Sequence, residues 1–328
     1  MKAVIYRAFG AAKDVLSVEE IATPAPGPGE VLVRVAFSGV NPSDVKARAG
    51  SRPGVTKPPF PEIAPHSDGA GVIEAVGAGV DPARVGERVW LWNGQWQRAL
   101  GTCAEFIALP EAQAVRLPEA VSLEVGAVLG IPGLTAAQCV FGGGDVAGKT
   151  VLISGGAGTV GHLAVQLASW GGATVIATGS PKDFDKMRKA GAAQVLDYHS
   201  ENLAADILAA NGGTPVDAAV EVEFGTNIAV LAEVMAPNGR VAIYGSAKDM
   251  APTIPFGPIL FKALTLDVVL IYILPEAERA AAIAQLHGAL DEGALEVPVG
   301  QVFAPEDAAK AHEAVEAGGR DGAVLIAF

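Results

Sequence analysis

The chain has 328 residues, half of them hydrophobic, with 40 glycines and 22 prolines. That length holds two ordinary domains, and that composition suits a compact α/β protein rather than a disordered or fibrous one. A formal net charge of −13, spread without an acidic tail, argues against a nucleic-acid or anionic-membrane partner, because both would repel it.

The first residues, MKAVIYRAFG, enter a strand directly and lack the long apolar core of a signal peptide. Residues 1–120 read as β-rich. EVLVRVAFSGV (30–40) alternates with the strand period, and GAGVIEAVGAGV and GERVWLW are short apolar runs set off by glycines. PAPGPGE fits a turn. From about residue 120 the pattern changes. SLEVGAVLGIPGLTAAQCVF has helical apolar spacing, interrupted by Pro132.

Strand and helix then alternate. Strands are predicted at 150–155, 173–178, 193–198, VDAAVEV and 239–245, with helices at 159–170, 183–190, 201–210 and 226–236. Such alternation means a parallel sheet covered on both faces. LTLDVVLIYIL, a helix over 276–292, the stretch GQVFAPEDAAKAHEAVEAG and a last strand AVLIAF complete the chain. The most apolar stretch, VVLIYIL (268–274), lies between Asp267 and Pro275 and is much too short to span a bilayer. The only cysteines, Cys103 and Cys139, cannot form a metal cluster or a disulfide framework. A cytoplasmic location is expected.

SGGAGTVG (154–161) contains Gly156-x-Gly158-x-x-Gly161. It follows a predicted strand and opens a predicted helix, the context in which this spacing binds dinucleotides. The first glycine is expected to permit the tight turn, the second to let the backbone approach a pyrophosphate, and the third to pack helix on strand. Thr159 and Val160 would offer backbone amides at the positive end of the helix. The end of the next strand selects the cofactor. Gly179-Ser180-Pro181-Lys182 follows it, with no acid before Asp183 to hold a ribose 2′-hydroxyl. A small hydroxyl residue and a lysine suit a 2′-phosphate, so NADPH is predicted. Ser180, Lys182 and Lys186 are the candidates, although both lysines equally fit a solvated helix face. Tyr198 closes the following strand and either covers the adenosine end or is a plain strand terminus.

Seven segments carry a family resemblance: GVNPSDVKARAG (39–50), PHSDGAGVIEAVG (65–77), GIPGLTA (130–136), VLISGGAGTVGHLAVQLA (151–168), GAAQVLDY (191–198), APNGRVAIYGS (236–246) and GGRDGAVLIAF (318–328). In this order they resemble the zinc-independent medium-chain dehydrogenase/reductases, in the quinone oxidoreductase and zeta-crystallin branch. The resemblance implies an α/β fold with a GroES-like β-rich catalytic domain from the chain ends (1–120 and 290–328). It also implies an inserted Rossmann domain with a doubly wound parallel sheet (121–289), a cleft between the two, and a homodimer.

The resemblance bears on zinc as well. In the zinc alcohol dehydrogenase relatives, metal ligands stand where this chain has Asn41, Ser67 and Ile131, residues that cannot supply a catalytic zinc site. His66 is one position too early and reads as a turn or cleft residue. The loop WLWNGQWQRALGTCAEF holds one cysteine, so the four-cysteine structural lobe is missing. No metal site is expected.

Hydride transfer to a quinone or to an α,β-unsaturated carbonyl leaves an anionic oxygen that needs hydrogen-bond donors or a cation. Asn41 is the candidate donor, which the family places near nicotinamide and substrate. Asn41-Pro42 also reads as a helix cap, with Asp44 fitting the same start. Lys46 stands where the branch often has a tyrosine, and serves either as acid or cation or as a solvated residue. By resemblance, Thr135 and Ile271 meet the nicotinamide side and Arg320 lies near the cofactor. Gly245-Ser246 lies at the carboxyl edge of the sheet. Glu221 reads as a solvated strand terminus. Trp90, Trp92 and Trp96 either stack on a planar substrate or form a small cluster. The reading is an NADPH-dependent, zinc-free quinone reductase. An enone reductase, a non-catalytic NADPH-binding protein and a zinc alcohol dehydrogenase are the alternatives.

Overall fold

A computed structural model describes residues 1–51 and 54–328. The chain divides into two units, Met1–Ile131 with Val297–Phe328, and Pro132–Glu296.

The first unit is built on the long strand Glu30–Val40. It pairs antiparallel with Asp68–Val76, Phe106–Pro110 and Ala323–Ala327, and Val299–Phe303, Arg88–Leu91 and Ala114–Arg116 complete the sheet. Its alternating residues Val31, Val33 and Val35 point to one side and are buried with Ile73, Val89, Leu91, Ile107 and Leu109. That is the period-2 pattern turned into a core. The strand ends at Asn41, where the helix Pro42–Ala49 begins. Trp90 is fully buried in the strand Arg88–Leu91, and Trp92 donates its indole N–H to the Ala112 carbonyl at 3.1 Å.

In the second unit six strands lie parallel in the order Gln194–Asp197, Thr174–Gly179, Thr150–Ile153, Val216–Glu221, Met235–Ile243, Thr265–Val268. Counted along the chain this is the doubly wound order of a Rossmann fold, and Thr150–Ile153 beside Val216–Glu221 is the point where the order reverses. Leu152, Ile176, Ala219 and Val241 of the sheet bury against Ile207, Leu231 and Val234 from helices. Pro132 lies inside a π-helical turn, Leu129–Gly133, because proline has no N–H and its ring displaces the preceding turn's carbonyl.

Two segments differ from their sequence pattern. The helix expected at 226–236 occupies Phe224–Val234, so the next strand starts at Met235. LTLDVVLIYIL gives only the short strand Thr265–Val268, and Ile271, which the family resemblance sets on a strand, lies in the 3-10 turn Ile271–Ile273. Apolarity misleads here because several of these side chains face outward: Val268 is 74% exposed, and Phe261 on the preceding helix 89%. Among the described residues, Thr265–Val268 has a strand neighbour on one side only. An unpaired edge flanked by exposed apolar groups is the kind of surface on which another chain pairs. Among the described residues no helix is long and apolar enough to cross a membrane.

Candidate active site

The strand Thr150–Ile153 leads through a glycine loop into the helix Thr159–Trp170. Gly155 takes the left-handed conformation, at φ +66°. The turn expected of Gly156 therefore falls to Gly155, which is free to adopt positive φ. Gly156 is instead crowded, since a Cβ there would lie 2.9 Å from Ala177 Cβ. At Gly161 a Cβ would lie 2.1 Å from the Gly155 carbonyl oxygen, so the helix packs directly on the turn. Gly158 caps the helix in the extended conformation and is exposed. The N–H groups of Thr159, Val160 and Gly161 open the first turn, where a helix supplies no acceptors.

Most of the other candidates lie in the same unit as this loop. Ser180 follows the strand Thr174–Gly179 and is half-buried. Lys182 is exposed in the turn Pro181–Asp183, and Lys186 is half-buried on the helix Phe184–Lys189. Burial first, and the Lys186 charge second, hold His162 down to about 4. Tyr198 follows the strand Gln194–Asp197, with its ring 3.9 Å from that of His199. Gly245 and Ser246 follow Met235–Ile243. The Ser246 hydroxyl accepts from the Gly225 N–H at 2.8 Å and donates to the Asp249 carbonyl. Thr135 is buried in the helix Leu134–Phe141, and Ile271 is buried in its turn. All of these lie in the second unit. Asn41, Lys46 and Arg320 lie in the first.

Glu221 corrects its sequence reading, for it is fully buried rather than solvated. Its carboxylate accepts from the Ser154 hydroxyl at 2.5 Å, the Glu223 N–H at 2.5 Å and the Asn227 amide at 3.0 Å. Burial pushes this carboxyl up, against the pull of those three donors.

Asn41 caps its helix, and its own N–H donates to Asp44 Oδ2 at 2.9 Å. Its side-chain amide does more. Nδ2 donates to Asp68 Oδ2 at 2.7 Å, and Asp68 Oδ1 accepts from the Ile131 N–H at 2.8 Å. Asp68 is fully buried, and burial, then the charge of Asp44, pushes its carboxyl well above the usual range. An amide NH2 has two hydrogens, and the bond to Asp68 uses one of them. Lys46 is exposed on the last turn of the same helix, where its charge complements the helix dipole. Arg320 donates Nη1 to the Val315 carbonyl at 2.8 Å near the end of the helix Ala308–Ala317.

His66 is buried at φ +77°. The Thr102 hydroxyl donates to the Asp68 carbonyl at 2.5 Å, so it accepts from Ser38 at 2.8 Å. Ser38 then accepts from His66 Nδ1 at 2.9 Å, which leaves His66 Nε2 to accept from His312 Nε2 at 2.9 Å. These tautomers follow from the network. Both nitrogens of His66 are thus engaged inside the protein, and neither is offered to a metal. Asn41, Ser67 and Ile131 present no thiolate or imidazole, so a catalytic zinc does not fit their positions.

Three features went unread in the sequence. Asp68 was visible in PHSDGAG but its pairing with Asn41 was not, and the same holds for Glu221 with Ser154 and for His66 with His312.

Comparison with known proteins agrees with this architecture. The family model of the alcohol dehydrogenase GroES-like domain matches residues 27–119, and that of the zinc-binding dehydrogenase matches residues 159–287. Pig quinone oxidoreductase is 30% identical over 322 residues, covering 95% of this chain and 93% of that protein. A mycobacterial quinone oxidoreductase structure superposes with a TM-score of 0.86 at 29% identity, covering all of both chains. The Escherichia coli quinone oxidoreductase, solved with NADPH, gives 0.86 at 26% identity over all of both chains. With a GroES-like unit, a Rossmann unit and no zinc-ligating side chain at the catalytic metal positions, the chain belongs to the zinc-independent branch of the medium-chain dehydrogenase/reductase family and is an NAD(P)-dependent oxidoreductase.

Proposed function

We propose that the protein is an NADPH-dependent reductase that passes hydride to a quinone without a metal. The observation that carries this reading is the Asn41 amide, fixed by buried Asp68 at a position where zinc relatives hold a ligand. The quinone oxidoreductase names of its relatives support the acceptor class. The NADPH bound to one of them supports the cofactor. So does the absence of an acid between Gly179 and Asp183.

A bound nicotinamide dinucleotide supplies the hydride. The amides of Thr159, Val160 and Gly161 would hold its diphosphate, and Ser180, Lys182 and Lys186 would hold its 2′-phosphate. Asn41 donates its second amide hydrogen to the acceptor oxygen as that oxygen gains charge. Asp68 holds the other hydrogen and, through Ile131, keeps the amide plane fixed. A donor held in advance avoids reorganisation when the charge appears, which is where its catalytic value lies. Lys46, exposed at the far turn of the helix, carries no step.

Acceptor-dependent oxidation of NADPH and NADH tests this, using metal-stripped protein with a simple benzoquinone and with an aliphatic enone. Quinone turnover is expected, with NADPH favoured by at least roughly tenfold, the worth of a charge-assisted phosphate contact. Turnover of the enone alone would replace the acceptor class. Equal use of both dinucleotides would remove Ser180, Lys182 and Lys186 from cofactor selection.

A further inference from the structure

We propose that Glu221 is a positioning residue for dinucleotide binding, holding the glycine loop in shape through the Ser154 hydroxyl. The inference deepens the reading above and rests on it. Glu221 ends a strand at the point where the sheet order reverses, on the edge where such folds take their ligands. Its three donors are neutral, and among the described residues it has no ion pair. A buried carboxylate without a cation is costly, and a strand end does not need one.

What this carboxylate does is join three loops. Ser154 immediately precedes the left-handed Gly155, so the hydroxyl fixes the chain where the turn begins. Val222 packs beside that turn, since a Cβ on Gly155 would lie 3.1 Å from Val222 Cγ1. Asn227 lies in the first turns of the helix Phe224–Val234. Glu223, whose N–H the carboxylate also holds, accepts from the Ala247 and Lys248 N–H groups beyond the next strand, at 3.1 and 2.7 Å. One anchor therefore sets the loop before the dinucleotide helix and the two loops beside it.

Glu221→Gln keeps the shape and alters one contact selectively. Its amide oxygen can still accept from Glu223 and Asn227, while its NH2 donates to Ser154 Oγ, so a neutral, reversed bond replaces the charge-assisted one and the serine hydroxyl hydrogen must turn away. Ser154→Ala removes the same bond from the other side and stands if the glutamine variant does not fold. NADPH affinity is measured for wild type, both single variants and the double variant by fluorescence titration. Each single variant is expected to weaken binding roughly tenfold, the worth of one charge-assisted hydrogen bond. The double variant is expected to lose no more than either single one, because both remove the same charge-assisted bond. The loss is expected in KM for NADPH and not in kcat. Wild-type affinity in the single variants, or additive losses in the double, would overturn the proposal alone. Wild-type protein that binds no NADPH would overturn the reading beneath it.

Discussion

Gly161→Val is expected to abolish dinucleotide binding, raising the Kd for NADPH at least about 100-fold. The first carbon of any side chain at this position would lie 2.1 Å from the Gly155 carbonyl oxygen, 2.8 Å from its carbonyl carbon and 3.1 Å from Gly156 Cα. These atoms are all backbone, so no rotamer change relieves the clash. Either the turn or the first turn of the helix must move by about an ångström to restore contact distances near 3.4 Å. That movement displaces the N–H groups proposed to hold the diphosphate. Overpacking of this kind also costs about 1–3 kcal/mol of stability. Gly257→Ala is the control: it is exposed in the same unit outside the loop, and its Cβ would meet nothing within 4 Å. Titration of NADPH into the two variants and the wild type reads the difference, and full affinity in Gly161→Val would contradict the loop assignment.

Stability is expected to fall as pH drops below about 6.5, and the fall is expected to be shallower in His312→Leu. Burial, then the Arg48 charge, holds His312 down to about 3, while burial, then His312 itself, holds His66 well below its usual value. In the unfolded chain both take up protons near 6.5. The unfolded state thus binds protons first on acidification. The contribution of the neutral pair is complete above 6.5 and is lost as pH falls toward 3. The slope is at most roughly 1.4 kcal/mol per pH unit for each histidine. Asp68 and Glu221, whose carboxyls are pushed up, act in the opposite sense. They are present in both proteins, so the difference between the two curves isolates the histidines. Urea unfolding across that range measures it, and identical pH slopes would show that the pair does not titrate as its burial requires.

Much of the fold was legible because the period of apolar residues is local. The helix at 159–170 lies where its fingerprint placed it. The family resemblance set Ile271 on a strand, but it lies buried in the 3-10 turn Ile271–Ile273, beyond the strand that ends at Val268. Within SGGAGTVG the spacing selects Gly156 as the turn residue, but the left-handed turn falls one residue earlier, at Gly155, which lies outside the sequence rule. The site was legible as residue types and not as partnerships. Asn41 drew notice as a donor, but the carboxylate that orients it is 27 residues away. Glu221 looked like a solvated strand end because Ser154, which helps to bury it, is 67 residues distant. His66 could be dismissed as a zinc ligand from its offset, while its true partner stands 246 residues on. Long-range pairing leaves no period in a single chain.

Metal-free charge stabilisation by Asn41 is tested most directly by a single turnover: bound NADPH oxidised by a quinone in metal-stripped wild type and in Asn41→Ala. The wild type is expected to react, and the variant to react roughly 100-fold more slowly, the usual effect of losing one preorganised donor to an oxyanion. NADPH affinity is expected to stay within about threefold, because the amide acts on the acceptor and only as its charge develops. An unchanged rate in Asn41→Ala, or a wild type that turns over only after zinc is added, would contradict the mechanism.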